Sequence, residues 1–583
     1  MVQNEMTESN ETSGLQNAIS NGWISKLAVP RVDTTGPLAG LKFGVKDNID
    51  VAGVPTTAAC PAFAFKPTAD AASVSRLMAA GAALVGKTNL DQFACGLNGT
   101  RSPYGAVPNA FDPAYVSGGS SSGSAYVVAI GEVDFALGTD TAGSGRVPAG
   151  LNNIVGVKPS RGLISARGVL PAAQSCDCVS IFARTVPTAM KVLHAATGYD
   201  PLDPYSRKLV LKPVVPQATF RFGVPSELKF FGDELASAAF ADAVARLQSL
   251  GGKPVVIDYT PLDDAATLLY ESALVAERYS AIRTFFDAHE EQVMEPVRSI
   301  VGKGRDYTAA DLHEAQIRLR ALGQQAAAMW DDIDVLVVPT APTHYRIDAM
   351  RADPVVLNRN LGAYTTFVNL LDYAAISVPS AMRPDGLPFG ITLIGQCATD
   401  LQLADLGERF HRATGLTQGA TGVPLPAAEV AGGTTNAAPA THMNVAVVGA
   451  HLSGMPLNGQ LTDRGARLVE ATRTSPSYRL YALPGTTPPK PGLQRVADGG
   501  ASIALEIWSM PIEHVGSFLA LIPPPLGLGS VELADGSWVN GFICEGHALL
   551  QAEDVTAHGG WRAYIASLNA SRNASDNASR SPA

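Results

Sequence analysis

The sequence predicts a large α/β domain with helices on both faces of a sheet, followed by a smaller β-rich domain. Three observations lead to this fold class. From about Leu41, short apolar runs alternate with segments of helical periodicity. A Gly-, Ala-, Thr- and Pro-rich stretch, which is a linker composition, then interrupts the pattern at 417–443. Beyond it, short apolar runs punctuated by Gly and Pro continue over roughly 125 residues, a usual domain size.

Local signals place the elements of the first domain in order. The run at 41–51 predicts a strand and its turn, and 69–89 predicts a helix that stops at Gly81 and a strand through Val85. Amphipathic helices are predicted at 234–250 and 307–330, and short strands ending in Pro at 335–339 and 376–379. The predicted organisation is a disordered N-terminus at 1–15, the α/β domain at 16–416, the linker at 417–443, the β-rich domain at 444–568 and a disordered tail at 569–583.

Composition restricts the function classes. The chain has 583 residues and a net charge of −10 without a long basic run, so nucleic acid and anionic membranes are poor partners. The polar N-terminus does not read as a signal peptide, and no stretch of about eighteen apolar residues predicts a membrane span. The Cys residues form no CxxC pair, and Cys176 and Cys178 are expected to be small buried hydrophobes. These features favour a cytoplasmic enzyme.

Two Ser-bearing, Gly-rich turns carry the most specific chemical signal. The stretch 118–125 reads GGSSSGSA, and 138–149 reads GTDTAGSGRVPA. Upstream, Lys46 follows a predicted strand and should point off its end into a cleft. A Ser hydroxyl needs a base to become a nucleophile, and a buried Lys can serve because burial disfavours its ammonium form. Consecutive N–H groups at 141–144 could hold an oxyanion. Together, the Ser-bearing turns, Lys46 and these N–H groups favour the transfer of an acyl group to water.

Simpler interpretations exist for each part. A Gly/Ser-rich run is usually a flexible loop, and a Lys after a strand is usually a surface residue. No GK[ST] follows the glycines, which argues against a phosphate-binding loop. Asp140 and Arg146 are expected to buttress the turn rather than react. Only the conjunction of these parts, in this order, favours catalysis.

These motifs resemble those of the amidase signature family. They are GVKDN, GKTNLDQF, NAFDPAYVSGGSSSGSA, GTDTAGSGRVPA, GVKPSRGLIS, PTAPT and GLPFGITLIG, in the family's order over about residues 37–410. The resemblance implies the amidase signature fold, a mixed central sheet covered by helices on both faces. It also implies a catalytic triad in which Lys46 is the base, Ser120 is a relay in a cis peptide and Ser144 is the nucleophile. It implies no metal or organic cofactor.

One position departs from the family pattern. Most members read D-T-G-G-S, whereas this chain has Ala142 in place of the first Gly. This residue must adopt a conformation that an L-residue tolerates, and Gly145 would relax the turn. The family's oxyanion donors fall on the backbone N–H groups of Thr141, Ala142, Gly143 and Ser144.

The sequences TAGSGRVPA, NNIVGVKPSRG and SCDCVSIFA are similar to one branch of the family, the allophanate hydrolases. Allophanate carries a terminal amide and a carboxylate, so its pocket needs a fixed cation, and the planar fork of Arg suits a carboxylate. Tyr270 and Arg278 stand eight residues apart on a predicted helix, which would place them on one face. An ordinary helix with an exposed Arg is the alternative. In the branch, Tyr and Arg of this element hold the carboxylate.

The C-terminal sequence supports the same branch. GAHLSGMPLNGQL, PKPGLQR and IPPPLGLGSVELADGSWVNGFICE resemble its second domain, which has a γ-glutamyl cyclotransferase-like β-barrel fold and a role in decarboxylation. His451 is the candidate site residue there, although a His at a strand-to-turn position is commonly structural. Glu506, His514 and Glu545 are unranked alternatives. The AMK triplet at 189–191 lies in a helical segment, so no biotin site is expected.

The resemblance as a whole implies hydrolysis of allophanate to ammonia and N-carboxycarbamate, with the second domain assisting decarboxylation, in urea or cyanurate nitrogen salvage. It implies a functional link to a biotin-dependent urea carboxylase or a cyanurate pathway, and a homodimer through the large domain. Two alternatives stay open. One is another amidase or a glutamine amidotransferase subunit of the same family, and the other is a non-catalytic scaffold with a C-terminal binding module.

Overall fold

A computed structural model describes residues 15–17, 21–31, 35–214, 219–426 and 442–578 of the chain. The chain forms two compact units, Met1–Val430 and Ala431–Ala583. Within the described residues, no helix combines the length and the apolar character needed to cross a bilayer.

The first unit is built on twelve strands and thirteen helices among its described residues. The strands are β1 (Leu15–Asn17), β2 (Trp23–Arg31), β3 (Lys42–Lys46), β4 (Ala83–Thr88), β5 (Phe135–Asp140), β6 (Val155–Lys158), β7 (Cys178–Ala183), β8 (Phe220–Pro225), β9 (Gly252–Ile257), β10 (Val335–Pro339), β11 (Ala374–Met382) and β12 (Pro388–Gly395). The helices are α1 (Ala72–Ala79), α2 (Ser122–Ala129), α3 (Val147–Leu151), α4 (Val186–Ala196), α5 (Glu234–Ser249), α6 (Thr260–Glu271), α7 (Ala276–His289), α8 (Val297–Gly302), α9 (Ala309–Ala327), α10 (Ile347–Ala352), α11 (Val356–Leu361), α12 (Phe367–Leu370) and α13 (Asp400–Thr414).

All twelve strands join one mixed sheet in the order β1-β2-β4-β3-β5-β7-β6-β11-β12-β10-β8-β9. Strand β3 runs parallel to both β4 and β5, and β8 runs parallel to β9 and β10. The strands from β5 through β7, β6, β11 and β12 to β10 pair antiparallel. The prediction of a mixed α/β sheet is therefore confirmed.

Side-chain alternation along the strands creates a separate core on each face of this sheet. Phe135 and Leu137 of β5 pack with apolar residues of α1, α4, α5 and α13, whereas Ala136 between them packs with residues of α2. On β10, Val337 belongs to the first core and Val338 to another core, with α6, α9 and α12. Successive strand side chains point to opposite faces, so helices cover both faces as predicted.

Helix bounds follow local sequence signals. Helix α5 starts where the Asp233 side chain accepts the Ala236 N–H, and it ends within one residue of the predicted Leu250. Helix α9 starts at a capping box formed by Thr308 and Asp311, so the predicted helix at 307–330 is shorter at its start and closes in a 3₁₀ turn.

The second unit consists of eight strands and four helices among its described residues. They are β13 (His442–Val447), β14 (Arg467–Arg473), β15 (Tyr478–Ala482), β16 (Pro491–Arg495), β17 (Ala504–Pro511), β18 (Leu526–Glu532), β19 (Trp538–Cys544), β20 (Glu553–Asp554), α14 (Gly459–Thr462), α15 (Ile512–Leu519), α16 (Gly546–Leu549) and α17 (Trp561–Ala578). A five-stranded sheet has the order β14-β17-β13-β19-β18, and a three-stranded sheet has the order β16-β15-β20. The prediction of a β-rich second domain is confirmed.

Several predicted boundaries differ from the observed elements. Leu15, predicted as disordered, begins β1, while 1–14 lie outside the described residues. The first residues of the predicted linker pack on the first unit, where Asn153 Nδ2 donates to the Thr417 and Gly419 carbonyls. The other end of the linker enters β13 two residues before the predicted domain start. The predicted disordered tail is wrong up to Ala578, because α17 continues to that residue.

Candidate active site

The parallel pairing of β3 with β5 assembles the centre of the site. Parallel neighbours present their carboxyl ends at the same edge of a sheet. Lys46 is the last residue of β3, and Thr139 and Asp140 are the last two of β5. The Lys46 Nζ donates hydrogen bonds of 2.7 Å to both Thr139 Oγ1 and Ser120 Oγ. The Gly-rich turn that follows β5 therefore starts beside the amine.

The Lys46 amine has an environment suited to losing its proton. Its side chain is fully buried, and this desolvation lowers the pKa to about 7. The carboxylates of Asp91, Asp177 and Asp140 oppose the shift, while Arg278 adds to it. A substantial fraction of the amine is therefore neutral at neutral pH and can accept a proton from Ser120.

Asp91 clamps the loop that carries Ser120. The Gly119–Ser120 peptide is cis. The Asp91 N–H donates to the Ser120 carbonyl at 3.0 Å, and its carboxylate accepts the N–H groups of Asn98 and Gly99. A Cβ on Gly119 would lie 2.2 Å from the Asp91 carboxylate, so this position requires Gly. The backbone of Ser120 is thus held by a hydrogen bond from Asp91.

Ser144 lies in the next turn and points to a different partner. Its Oγ donates weakly to the Gly96 carbonyl at 3.5 Å, and its side chain is almost fully buried. No hydrogen bond within the described part of the chain joins Ser120 to Ser144. The structure therefore joins Lys46 to Ser120 by a hydrogen bond, whereas Ser120 and Ser144 are not hydrogen-bonded to each other. Catalytic hydrogen bonds are often long without substrate, and a rotation about the Ser144 Cα–Cβ bond would re-aim its hydroxyl.

Asp140 shapes the turn around Ser144. Its carboxylate accepts the N–H groups of Gly143 at 3.0 Å and Gly145 at 2.9 Å, and it pairs in bidentate fashion with Arg146. Burial raises the Asp140 pKa, but Arg146 and the turn N–H groups outweigh it and hold the pKa below its usual range. Asp140 and Arg146 thus contact the turn in the manner expected of a buttress.

One predicted oxyanion donor needs correction. Because the Gly143 N–H already donates to Asp140, Gly143 is not a free donor. Within the described residues, the N–H groups of Thr141, Ala142 and Ser144 have no acceptor, so the predicted set of four is reduced to these three. The physical reason is that the Asp140 carboxylate folds back on its own turn.

Ala142 is tolerated in place of Gly because the residue of this turn that adopts a positive φ is Gly143, not residue 142. Gly143 takes the positive φ of +131°, and a Cβ there would lie 2.2 Å from Thr365 Oγ1. Ala142 keeps a negative φ, as expected, and its carbonyl accepts the Thr365 hydroxyl at 2.7 Å. Gly145 does not relax the turn through its φ. It allows close approach, since its Cβ would lie 2.4 Å from Ser180.

Tyr270 and Arg278 meet, although not on one helix as predicted. Helix α6 ends at Glu271, Ser272 accepts the Leu274 N–H to start a 3₁₀ turn, and α7 begins at Ala276. Arg278 Nη2 donates to the Tyr270 hydroxyl at 3.1 Å, and the guanidinium lies 5.1 Å from the Tyr270 ring centroid. The predicted single helix and the observed pair of helices therefore agree only in placing the Tyr270 and Arg278 side chains close together.

Arg278 is an incompletely paired buried cation. Arg278 is 4% exposed, and its Nε and Nη1 atoms lack hydrogen-bond partners among the residues that the structure describes. Burying unpaired guanidinium N–H groups is costly, so a bound anion would compensate a deficit that the protein leaves open. The cation lies near enough to lower the pKa of Lys46, and Tyr270 packs against the apolar cluster that contains Ala142. The Arg278 guanidinium is thus in the neighbourhood of Lys46 and of the turn that carries Ser144.

Sequence analysis missed two side chains of this site, Thr139 and Asp177. Asp177 accepts the Thr141 hydroxyl at 2.5 Å and the Ala172 N–H at 2.8 Å. Burial raises its pKa to about 6 against these hydrogen bonds. Asp177 stands between Cys176 and Cys178, and a single carboxylate between two thiols is no specific motif in the sequence. Both Cys residues are buried, as expected.

In the second unit, His451 follows β13 and lines a small cavity. Its Nε2 pairs with Gln460 Oε1 at 2.9 Å, and its ring packs edge-on against Phe518. The Glu506 carboxylate already has partners, because it accepts the Ser453 N–H and forms an ion pair with Arg562. His514 and Glu545 do not line this cavity. In the described ranges, no group of three or more His, Cys, Asp or Glu side chains is arranged to hold a metal ion.

Two family models match the chain. The model described as Amidase matches residues 24–404, and the model described as Allophanate hydrolase C-terminal domain matches residues 443–566. Among curated relatives, a urea amidolyase of Saccharomyces cerevisiae is 43% identical over 94% of this chain. This chain covers 31% of that protein, so it spans less than a third of the relative's length.

Solved structures give the same picture. An allophanate hydrolase of Kluyveromyces lactis is 44% identical, with a TM-score of 0.69 over 91% of this chain and 88% of that one. One component of the glutamyl-tRNA(Gln) amidotransferase of Thermotoga maritima is 28% identical, with a TM-score of 0.59 over 68% of this chain and 88% of that one. The second similarity is thus weaker and covers a smaller share of this chain.

Proposed function

On the premise that this chain belongs to the amidase family, which makes it an amidohydrolase, we propose that it is an allophanate hydrolase. The observation that carries the proposal is the buried Arg278, whose Nε and Nη1 atoms have no hydrogen-bond partner among the described residues, because a neutral amide would leave their N–H bonds uncompensated. The matched C-terminal domain model and the similarity to the allophanate hydrolase of K. lactis support it. The predicted resemblance to this branch is thereby confirmed.

The proposed mechanism uses Lys46 as the base. The neutral amine takes the proton of Ser120, and Ser120 takes that of Ser144 once the Ser144 hydroxyl turns away from Gly96. Ser144 Oγ attacks the terminal amide carbon of allophanate. The free N–H groups of Thr141, Ala142 and Ser144 are the candidate donors that stabilise the oxyanion, each such donor contributing about 3 kcal/mol.

The tetrahedral intermediate collapses when the relay returns a proton to the leaving nitrogen and the C–N bond breaks. Water, deprotonated by the same relay, then cleaves the Ser144 ester. Allophanate and water yield ammonium and the dianion N-carboxycarbamate. During both steps, Arg278 and Tyr270 bind the substrate carboxylate through the N–H groups that the protein leaves unpaired.

We assign decarboxylation to the second unit, with His451 as the candidate residue. N-carboxycarbamate takes up one proton, its C–N bond breaks towards nitrogen, and carbamate and carbon dioxide result. The division of labour follows the predicted organisation into an amidase domain at 16–416 and a second domain at 444–568. A link to a urea carboxylase is supported by the urea amidolyase relatives. A cytoplasmic homodimer, and cyanurate breakdown as the other source of allophanate, complete the proposal as expectations from the family resemblance.

Substrate preference tests this function. We expect the full-length chain to release ammonia from allophanate with a kcat/KM about 10²–10³-fold above that for malonamide, because only allophanate compensates Arg278. A coupled ammonia assay with allophanate, malonamide, glutamine and simple amides measures the ratio. Preference for glutamine would favour an amidotransferase role instead. Failure to release ammonia from any amide would favour the scaffold interpretation.

Activity should depend on pH through Lys46. The active form is the neutral amine, so protonation below its pKa of about 7 removes the base. We expect kcat/KM for allophanate to fall about tenfold for each pH unit below 7 and to level off above it. Initial rates between pH 5.5 and 8.5, corrected for decomposition without enzyme, measure the profile. A flat profile across pH 7 would exclude Lys46 as the base.

A further inference from the structure

Asp177 is a buried carboxylate beside the catalytic turn, and the proposed mechanism does not use it. Strands β5 and β7 pair antiparallel with Asp140 opposite Cys178, so the residue after β5 lies beside the residue before β7. These two residues are Thr141 and Asp177, and the Thr141 hydroxyl donates to the Asp177 carboxylate at 2.5 Å. Strand pairing thus places a carboxylate against the first of the candidate oxyanion donors.

The Asp177 carboxylate has hydrogen-bond partners but no ion pair. Besides the threonine hydroxyl, it accepts the N–H groups of Ala172 and Ala173, and all of these donors are uncharged. Within the described ranges, no Lys or Arg forms an ion pair with it. Asp140, by contrast, pairs with Arg146, which offsets its charge. A buried charge without a paired counter-ion acts strongly on other charges nearby, because little solvent screens it.

The catalytic amine lies within range of this charge. Asp177 raises the pKa of Lys46 against the larger effect of burial, as do Asp91 and Asp140, whereas Arg278 lowers it further. Without these carboxylates, burial would hold the pKa of the amine below the value of about 7 that it has. A general base works best when its pKa lies near the operating pH, since an amine with a very low pKa is a weak base.

We propose that Asp177 is a positioning residue of the catalytic turn, which orients the oxyanion donor Thr141 through its hydrogen bond and keeps the Lys46 amine basic through its charge. It acts through these two residues and not on the substrate itself. The inference rests on the proposed function for the identity of the substrate. The chemistry is the same for any amide that this relay hydrolyses, because each needs an oxyanion donor and a base.

Asp177→Asn removes the charge and keeps the shape. The amide oxygen can accept the Ala172 and Ala173 N–H groups, and its nitrogen can donate to Thr141 Oγ1. Loss of the negative charge lowers the pKa of Lys46, so the neutral amine persists to lower pH. We expect the midpoint of the kcat/KM profile to fall by about 0.5–1 pH unit. We expect kcat on the plateau to fall about tenfold with KM within about twofold.

The measurement is the initial rate of ammonia release by the full-length chain between pH 5 and 8.5, with allophanate and with malonamide. A carboxylate that only ties the 172–177 turn together would leave the midpoint in place. Thr141→Val tests the hydrogen bond separately and decides by itself if Asp177→Asn does not fold. It should lower kcat about tenfold without raising KM, and Thr141→Ser, which keeps the hydroxyl, should restore kcat to within about twofold.

Asp400→Asn is the matched control. Asp400 is also buried and accepts the N–H and hydroxyl of one residue, Ser160, at 2.7 and 2.6 Å, but it is not among the charges that act on Lys46. Its replacement should leave the midpoint unchanged. A midpoint that Asp177→Asn does not move, or wild-type kcat in Thr141→Val, overturns the inference.

The same rates separate this inference from the proposed function. A wild-type chain that prefers another amide, with a midpoint that Asp177→Asn still lowers, refutes the allophanate assignment alone. A chain that hydrolyses allophanate, with a midpoint that Asp177→Asn leaves in place, refutes only the role of Asp177. Absence of ammonia release from every amide refutes both.

Discussion

Replacing Ser144 with Ala should lower kcat for ammonia release from allophanate by about 10⁴-fold or more, because no other hydroxyl takes over a lost nucleophile. Lys46→Met should cause a loss of the same order. The two changes act on one relay, so the double variant should be little worse than either single variant. Initial rates in a coupled ammonia assay, with the fold checked by circular dichroism, measure these effects.

Ser122→Ala is the matched control for Ser144→Ala. Ser122 lies in the same Ser-rich run as Ser120 and is equally buried, but its Oγ has no hydrogen-bond partner within the described ranges. Its removal should leave kcat within about twofold of the wild-type value, since an unpaired hydroxyl contributes little. Ammonia release by Ser144→Ala at the wild-type rate is incompatible with the proposed nucleophile. If the losses of kcat in the two single variants add up in the Lys46 and Ser144 double variant, the two residues act independently and not in one relay.

Replacing Arg278 with Met should lower kcat/KM for allophanate by about 10²–10³-fold, mainly through KM, because a buried charge pair loses one partner. Hydrolysis of malonamide should change little, since a neutral amide forms no ion pair with the guanidinium and loses none when Arg278 is replaced. The free energy of unfolding should not fall, and it should rise if the apolar side chain fills the site, because the unliganded protein no longer buries an unpaired charge.

Arg283→Met controls for the change of charge on the same helix. Arg283 lies on α7 with a side chain that is 70% exposed, so its loss should affect neither KM nor stability by a measurable amount. Steady-state kinetics on both substrates and urea unfolding of the wild-type protein and the two variants give the comparison. Equal losses on allophanate and malonamide after Arg278→Met would contradict the carboxylate role and point to a general effect on the turn.

Much of the site could be read from the sequence because its parts are local. The two Gly-rich turns and Lys46 form short motifs, and their order along the chain is sufficient to propose roles for them. The Ala142 position shows the limit of this reading. Sequence analysis placed the compensation at Gly145, whereas the positive φ belongs to Gly143 and Gly145 serves the contact with Ser180. Backbone dihedral angles depend on the neighbours that pack on a turn, and these came from distant elements.

The break between α6 and α7 and the C-terminal end of α17 also differ from the predictions. Periodicity carries through Ser272, so Tyr270 and Arg278 were placed on one helix, although Ser272 is a typical capping residue. The Asn- and Ser-rich composition after residue 568 suggested disorder, yet α17 continues to Ala578. At Ser272 a local cap ends one helix and starts a 3₁₀ turn, whereas after residue 568 the helix continues despite the polar composition.

By itself, the sequence determined which residues can carry the chemistry and the fold class that holds them, because these are properties of motifs and of short-range periodicity. Only the tertiary structure decided which of them meet. Lys46 reaches Thr139 across 93 residues because β3 and β5 pair in parallel, and Asp140 withdraws the Gly143 N–H from the donor set. The tertiary structure also leaves Arg278 Nε and Nη1 without partners in the described part of the chain. Such contacts join distant segments, and their geometry follows from strand pairing and packing rather than from spacing along the chain.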